Sequence, residues 1–176
     1  NKIEHLSDKF WAGYNGDGEA YGLINLKNCR AYGRLIDGKA YRPDPHVVGT
    51  NPCGEVPLES GESCNLSEIF LPNIKDKHEF KETALLMYKV TKTISCLPCI
   101  HDVTNKVISK NHRLGNSVTG FLQAKHLHDE KVFDEVYKAM EKEDKAYSKI
   151  LGVEPSIKLT TVKPSGTLSL LPQVTP

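Results

Sequence analysis

The sequence predicts an α/β fold, and three observations carry that prediction. Of its 176 residues 39% are hydrophobic and 26% charged, the balance of one globular domain that buries roughly 70% of its unfolded surface. Apolar residues recur at helical spacing over residues 79–95 and again over 129–151. Short apolar or β-branched runs bounded by turn residues stand before and after those stretches, as in chains where strands and helices alternate. A formal net charge of +1 gives no reason to expect a polyanion partner, so direct nucleic-acid binding is not expected. No apolar run reaches the roughly 18 residues needed to span a bilayer, and no membrane association is expected.

Taken in order, the chain first presents Phe10, Trp11 and Tyr14, expected to cover a core edge, and then the turn cluster Asn15-Gly16-Asp17-Gly18. Tyr21–Asn25 is a short apolar run that suits a buried strand, with Gly22 admitting close approach of another backbone. Residues 26–50, rich in Gly, Arg and Pro, read as an irregular connector, its Arg30, Arg34 and Arg42 being surface cations or phosphate contacts. Beyond Pro72, the positions of Phe80, Ala84, Tyr88 and Ile94 predict an amphipathic helix over Glu79–Ser95. The segment from Asn111 to Leu122 leads into another core element, and its His112 and Arg113 read as structural. Val132, Phe133, Val136, Tyr137, Met140, Tyr147 and Leu151 form a core-facing stripe over Asp129–Leu151. That helix stops at Gly152, which suits a C′ position, with Pro155 beyond. Ile157–Val162 alternates, is β-branched and predicts a strand running into Lys163-Pro-Ser-Gly-Thr-Leu-Ser169.

Chemistry-bearing residues concentrate in Asn51-Pro52-Cys53-Gly54-Glu55, continued by Cys64-Asn65-Leu66. In an extended segment Asn51, Cys53 and Glu55 would project to one side, with neighbours about 7 Å apart. Pro52 and Gly54 disfavour an ordinary central strand, so an extended loop tip presenting an amide, a thiol and a carboxylate is expected. The turn-prone Glu59-Ser60-Gly61-Glu62 would fold the chain back, bringing Cys64, eleven residues after Cys53, to the same cavity. A small buried thiol in a turn-rich segment is the alternative reading. Pro164-Ser165-Gly166-Thr167 follows a strand and offers amides and hydroxyls to a phosphate, with Lys163 adding charge. A plain turn or helix cap is the alternative there, since the loop lacks Walker spacing. Five cysteines, Cys29, Cys53, Cys64, Cys96 and Cys99, are an odd number without a secretory pattern, which argues for reduced or catalytic thiols. The Cys96-Leu-Pro-Cys99 pair reads as structural. Its alternative is a zinc-binding, non-enzymatic scaffold using Cys96, Cys99 and His101, although no second C-x-x-C has ligand spacing and no metal site is assigned.

NPCGE, the eleven-residue step to CNL, and KPSGTLS together resemble the catalytic subunit of ribonucleotide reductase. NPCGE with CNLSEIF is most similar to the adenosylcobalamin-dependent class II enzymes of the monomeric ribonucleoside-triphosphate type. The resemblance implies a ten-stranded α/β barrel made of two five-stranded parallel halves. Residues 50–66 would be its internal finger loop, 163–169 its phosphate loop, and 1–176 an internal fragment of that catalytic domain. It further implies that Cys53 becomes a thiyl radical that removes the 3′ hydrogen of the ribonucleotide. Glu55 would take the 3′-OH proton, Asn51 would hydrogen-bond the substrate, and Cys64 would be one of two cysteines that supply electrons. Pro164, Ser165, Gly166 and Thr167 would hold the substrate phosphates. The family partner of Cys64 lies upstream, and Cys29, Cys96 and Cys99 do not match its place, so the isolated fragment is expected to be inactive. Adenosylcobalamin as cofactor, a ribonucleoside tri- or diphosphate as substrate, a thioredoxin-like or dithiol reductant and a cytoplasmic setting follow from the same resemblance. A class I or III reductase fragment is the nearest alternative, and a split or intein-interrupted reductase completed by a complementary chain segment is another.

Overall fold

The computed structural model describes residues 7–13, 23–32, 34–36 and 40–176, with nothing described of the side chains of 34–36 and 40–42. Two short helices, α1 (Asp8–Gly13) and α2 (Leu26–Tyr32), precede the antiparallel hairpin β1 (Arg34–Ile36) and β2 (Ala40–Arg42). A second antiparallel hairpin follows, β3 (Val47–Thr50) with β4 (Pro57–Glu59). The chain then continues through β5 (Asn65–Phe70), α3 (Lys77–Ile94), α4 (Asp102–Asn111), β6 (Leu114–Thr119) and α5 (Glu130–Leu151).

The parallel pairing of β5 with β6 organises the second half, in register from Asn65↔Leu114 to Phe70↔Thr119. Parallel neighbours need a crossover connection, and α3 with α4 supply it. A second crossover through α5 returns residues 157–161 to the far side of β6. Leu114 N there donates to Lys158 O at 2.9 Å, Asn116 N to Leu159 O at 3.0 Å and Thr161 N to Asn116 O at 3.1 Å. The architecture is mixed α/β with small sheets.

Local chemistry explains the two long helices. Asp76 caps α3, its carboxylate accepting from His78 N at 2.9 Å and Glu79 N at 3.0 Å, and so satisfies two of the orphan donors of the first turn. Asp129 caps α5 in the same way through Lys131 N, and Gly152, at φ +69°, closes its C-terminus in the left-handed conformation expected of it. Phe80, Ala84 and Tyr88 of α3 pack with Val136 and Met140 of α5 on Ile69, Leu114 and Leu159. Each large apolar side chain so buried contributes on the order of 1.5–3 kcal/mol. No helix among the described residues is long and apolar enough to cross a membrane.

Several expectations are corrected. Residues 26–50 are not an irregular connector, since they form α2, a hairpin and β3. Leu23 and Ile24 are exposed and outside any strand, having no layer to pack on, while Tyr21 and Gly22 lie outside the described residues, as do Tyr14 and residues 15–18. Phe10 and Trp11 stack edge to face at 5.2 Å on α1, a helix with no buried residue. Ile94 is exposed at the end of α3. The segment 157–162, though hydrogen-bonded along β6, forms one isolated β-bridge, Asn116 with Thr160, rather than a full strand.

Candidate active site

The β3–β4 hairpin presents the Asn51–Glu55 segment, and its base is fixed from three sides. Arg30 Nε of α2 donates to Val47 O at 2.7 Å, and Asp44 N donates to Arg30 O at 2.7 Å. Arg113, directly before β6, then reaches across both legs of the hairpin. Its Nη1 donates to Asp44 Oδ2 at 2.7 Å, and its Nε lies 3.0 Å from Glu62 Oε2 in a charge contact not aligned as a hydrogen bond. All three side chains are buried. Burial works against the guanidinium charge, but the Asp44 hydrogen bond and the Glu62 carboxylate outweigh it and raise the Arg113 pKa. Arg113 thus anchors the hairpin base.

The tip is a tight turn and not the extended segment that the spacing of two implied. Gly54 N donates to Asn51 O at 3.0 Å, and Gly54 sits at φ +81°, a conformation costly to residues with a Cβ. Asn first, Pro second and Gly fourth are the residue preferences of a β-turn, and this signal was present in the NPCG sequence. Asn51 locks the neck, its Nα donating to Val56 O at 3.1 Å and its Oδ1 accepting from Val56 N at 3.0 Å. Cys53 is thereby left exposed at the apex, while Asn51 is buried.

The turn still gathers the expected groups. Cys64, just before β5, is half-buried and lies within electrostatic reach of Glu55, Cys53 and the Asn51 amide. Burial, reinforced by those two neighbours, pushes the Cys64 thiol above its ordinary pKa, so it stays protonated at neutral pH. Thr161 Oγ1 donates to Glu55 O at 2.7 Å and ties the tip to the segment beside β6. Both Glu55 carboxylate oxygens are buried and find no hydrogen-bond partner among the described residues. A buried carboxylate without a donor is rare enough to need an explanation, and a hydroxyl brought by a ligand is one.

The 163–169 loop follows the 157–161 segment and starts beside the carboxyl end of β6, where α/β folds place ligands. Lys163 N donates to Ser117 Oγ at 2.8 Å. Ser165 is buried, whereas Pro164, Gly166 and Thr167 are exposed, and only a short 3₁₀ turn, Leu168–Leu170, follows. Ser165 is not free: its hydroxyl donates to Glu68 of β5. Two further residues at the site carry no sequence signal. Glu68 gathers the loop, and Lys158 lies within electrostatic reach of Glu55 and Asp44, with burial and then Arg113 lowering its pKa.

The Cys96–Cys99 pair lies apart at the end of α3. Both residues are exposed, and Cys96 Sγ donates to Lys92 O at 3.3 Å. Among the described residues no three His, Cys, Asp or Glu side chains stand together as a metal set, so the zinc alternative finds no ligands here. Arg30 serves the hairpin base, while the Arg34 and Arg42 side chains lie outside the described residues.

No protein-family model matches the chain. It is 41% identical over 183 residues to the adenosylcobalamin-dependent ribonucleoside-triphosphate reductase of Lactobacillus acidophilus, covering 85% of this chain and 24% of that protein. The protein of the same name from Lactobacillus leichmannii is 36% identical over 191 residues, covering 91% of this chain and 26% of its own length. A crystal structure of a B12-dependent class II ribonucleotide reductase superposes with a TM-score of 0.74 at 33% identity, over 86% of this chain and 25% of that one. The chain therefore spans about a quarter of the length of the relatives it matches.

Proposed function

We propose, from the premise that this chain belongs with the class II ribonucleotide reductases as a homologue of about a quarter of their length, that it carries the thiyl-radical centre and the phosphate loop of such an enzyme. The observation that carries this reading is the convergence of Asn51, Cys53, Glu55 and Cys64 at one hairpin tip, with the Glu55 carboxylate buried and unpartnered among the described residues. On this reading β5, β6 and the 157–161 segment are consecutive strands of one parallel half of the ten-stranded barrel, and the β3–β4 hairpin is its internal finger.

In the proposed reaction the Cys53 thiyl takes the 3′ hydrogen atom of a ribonucleoside triphosphate and becomes a thiol. Glu55 accepts the proton of the 3′-OH, for which its two empty oxygens are suited. Asn51 bonds the substrate, its own position locked by Val56. The 2′-OH leaves as water with one thiol proton, Cys64 and a second cysteine supply two electrons and the hydrogen for C2′ as they form a disulfide, and Cys53 returns its hydrogen to C3′ and is a thiyl again. The raised pKa of Cys64 keeps it in the thiol form that also delivers hydrogen. A dithiol, thioredoxin-like or small, then reduces that disulfide, in a cytoplasmic setting. Adenosylcobalamin, when bound, would supply the radical chemistry that oxidises Cys53, and the exposure of Cys53 at the apex fits a group arriving from outside the hairpin. Gly166 and Thr167, both exposed, would meet the phosphates.

The test is reduction of a ribonucleoside triphosphate by the polypeptide carrying this chain, with adenosylcobalamin and a dithiol, comparing wild type with Cys53→Ser. Cobalamin-dependent product that falls to background in the variant supports the reading. Product from Cys53→Ser, or product without cobalamin, refutes it.

A further inference from the structure

The 163–169 loop carries a feature that its proposed role as a phosphate cradle does not explain. Ser165 stands at φ 47°, a left-handed conformation that a residue with a Cβ adopts only when its surroundings impose it. The group imposing it is one carboxylate. Glu68, at the centre of β5 and 3% exposed, accepts from Thr119 Oγ1 of β6 and from Ser165 Oγ on one oxygen, and from Lys163 Nζ at 2.8 Å on the other. A single buried side chain thus joins the strand pair to both ends of the Lys163–Ser165 turn. The backbone adds Lys163 N to Ser117 Oγ at 2.8 Å and Ser169 N to Ser165 O at 3.1 Å, which leave the exposed Gly166 and Thr167 between two anchored points.

Two consequences follow for an anion at this loop. The Ser165 proton is already committed to Glu68, so that hydroxyl has no hydrogen to offer a phosphate. Lys163 is likewise neutralised by its ion pair, 22% of its side chain remaining exposed. Binding strength therefore rests on the pose of the Gly166–Thr167 backbone and the Thr167 hydroxyl, which depends on the anchor.

We infer that Glu68 is the positioning residue of this loop: it holds Lys163 and Ser165 so that Gly166 and Thr167 are preorganised for a polyphosphate chain, and it does not itself touch the ligand. The inference rests on the phosphate reading of the loop, and the experiment separates the two. Inorganic tripolyphosphate is titrated into the 176-residue chain while the amide NMR signals of Gly166 and Thr167 are followed, and the melting temperature of each variant is measured in parallel. Glu68→Gln keeps an acceptor for Ser165 but loses the pair with Lys163. It is expected to weaken tripolyphosphate binding about five- to tenfold, as loss of preorganisation does. Lys163→Met cuts the same tie from the loop side and is expected to weaken binding to a similar degree. The double variant should be no weaker than either single one, a coupling that a general loss of stability would not produce. Binding by Glu68→Gln that is unchanged or tighter, or losses that simply add, overturns the positioning role while leaving the phosphate loop standing. Absence of any shift in the wild-type chain overturns the phosphate reading and this inference with it.

Discussion

Lowering the pH should act on one side chain with a calculable effect. His112 ends α4 in the left-handed conformation at φ 39° and is 2% exposed. Ser95 Oγ uses its proton on Lys92 O at 2.7 Å, so it accepts from His112 Nδ1–H at 3.0 Å, which leaves Nε2 as a bare, buried acceptor without a partner among the described residues. Protonation would place a charge there. Burial first, and then the nearby Lys92 cation, resist it, Asp144 opposes them in part, and the pKa falls from 6.5 to about 4. In the unfolded chain the imidazole takes its proton near its ordinary value. Stability is therefore complete above that value and declines as pH falls through the interval, levelling off once both states are protonated. The full shift corresponds to about 3 kcal/mol, of which about 2 kcal/mol is lost between about pH 7 and about pH 4.5. Urea unfolding at those two pH values, for wild type and His112→Asn, isolates this share from the carboxylates, because Asn tolerates the left-handed backbone and does not titrate. Wild type is expected to lose about 2 kcal/mol more than the variant on acidification. Equal losses in the two proteins would refute the reasoning.

Arg113→Met leaves Asp44 and Glu62 buried without their cation and should cost about 3–5 kcal/mol in chemical denaturation, whereas a loss below about 1 kcal/mol would show that the triad is solvated. The same variant should raise hydrogen exchange across β3 and β4, since Arg113 pins both legs of that hairpin. Alkylation with iodoacetamide near pH 8, followed by peptide mass spectrometry, should modify the exposed Cys53, Cys96 and Cys99 well before the half-buried Cys64, whose pKa is raised. Cys64 reacting as fast as Cys53 would contradict the environment described for it.

Legibility in the sequence followed the range of the forces involved. The helices α3 and α5 were readable because their caps and apolar stripes lie within a few residues of one another, so the predicted start of α3 differed by two residues and that of α5 by one. The strand β6 was not readable. Its LGNSVT is largely polar yet almost wholly buried, because Asn116 bonds Ser67, Thr91 and Leu159, partners supplied by three other elements. The NPCGE residues do form the tip of one hairpin, but the alternation argument failed: in a turn closed from Gly54 N to Asn51 O, side chains no longer follow the period of a strand.

By itself the sequence determined which groups are available: an amide, a thiol and a carboxylate within five residues, a second thiol eleven residues on, and a Pro-Ser-Gly-Thr loop after a β-branched run. It also determined the two long helices, whose stabilising contacts are local. Only the tertiary structure decided which of those groups are free to act. Glu68 occupies Ser165 and Lys163 from about a hundred residues away in the chain, Arg113 anchors the hairpin from a position just before β6, and no donor among the described residues reaches the Glu55 carboxylate. Hydrogen-bond satisfaction is set by distances in space, and for these side chains the partners are remote in sequence.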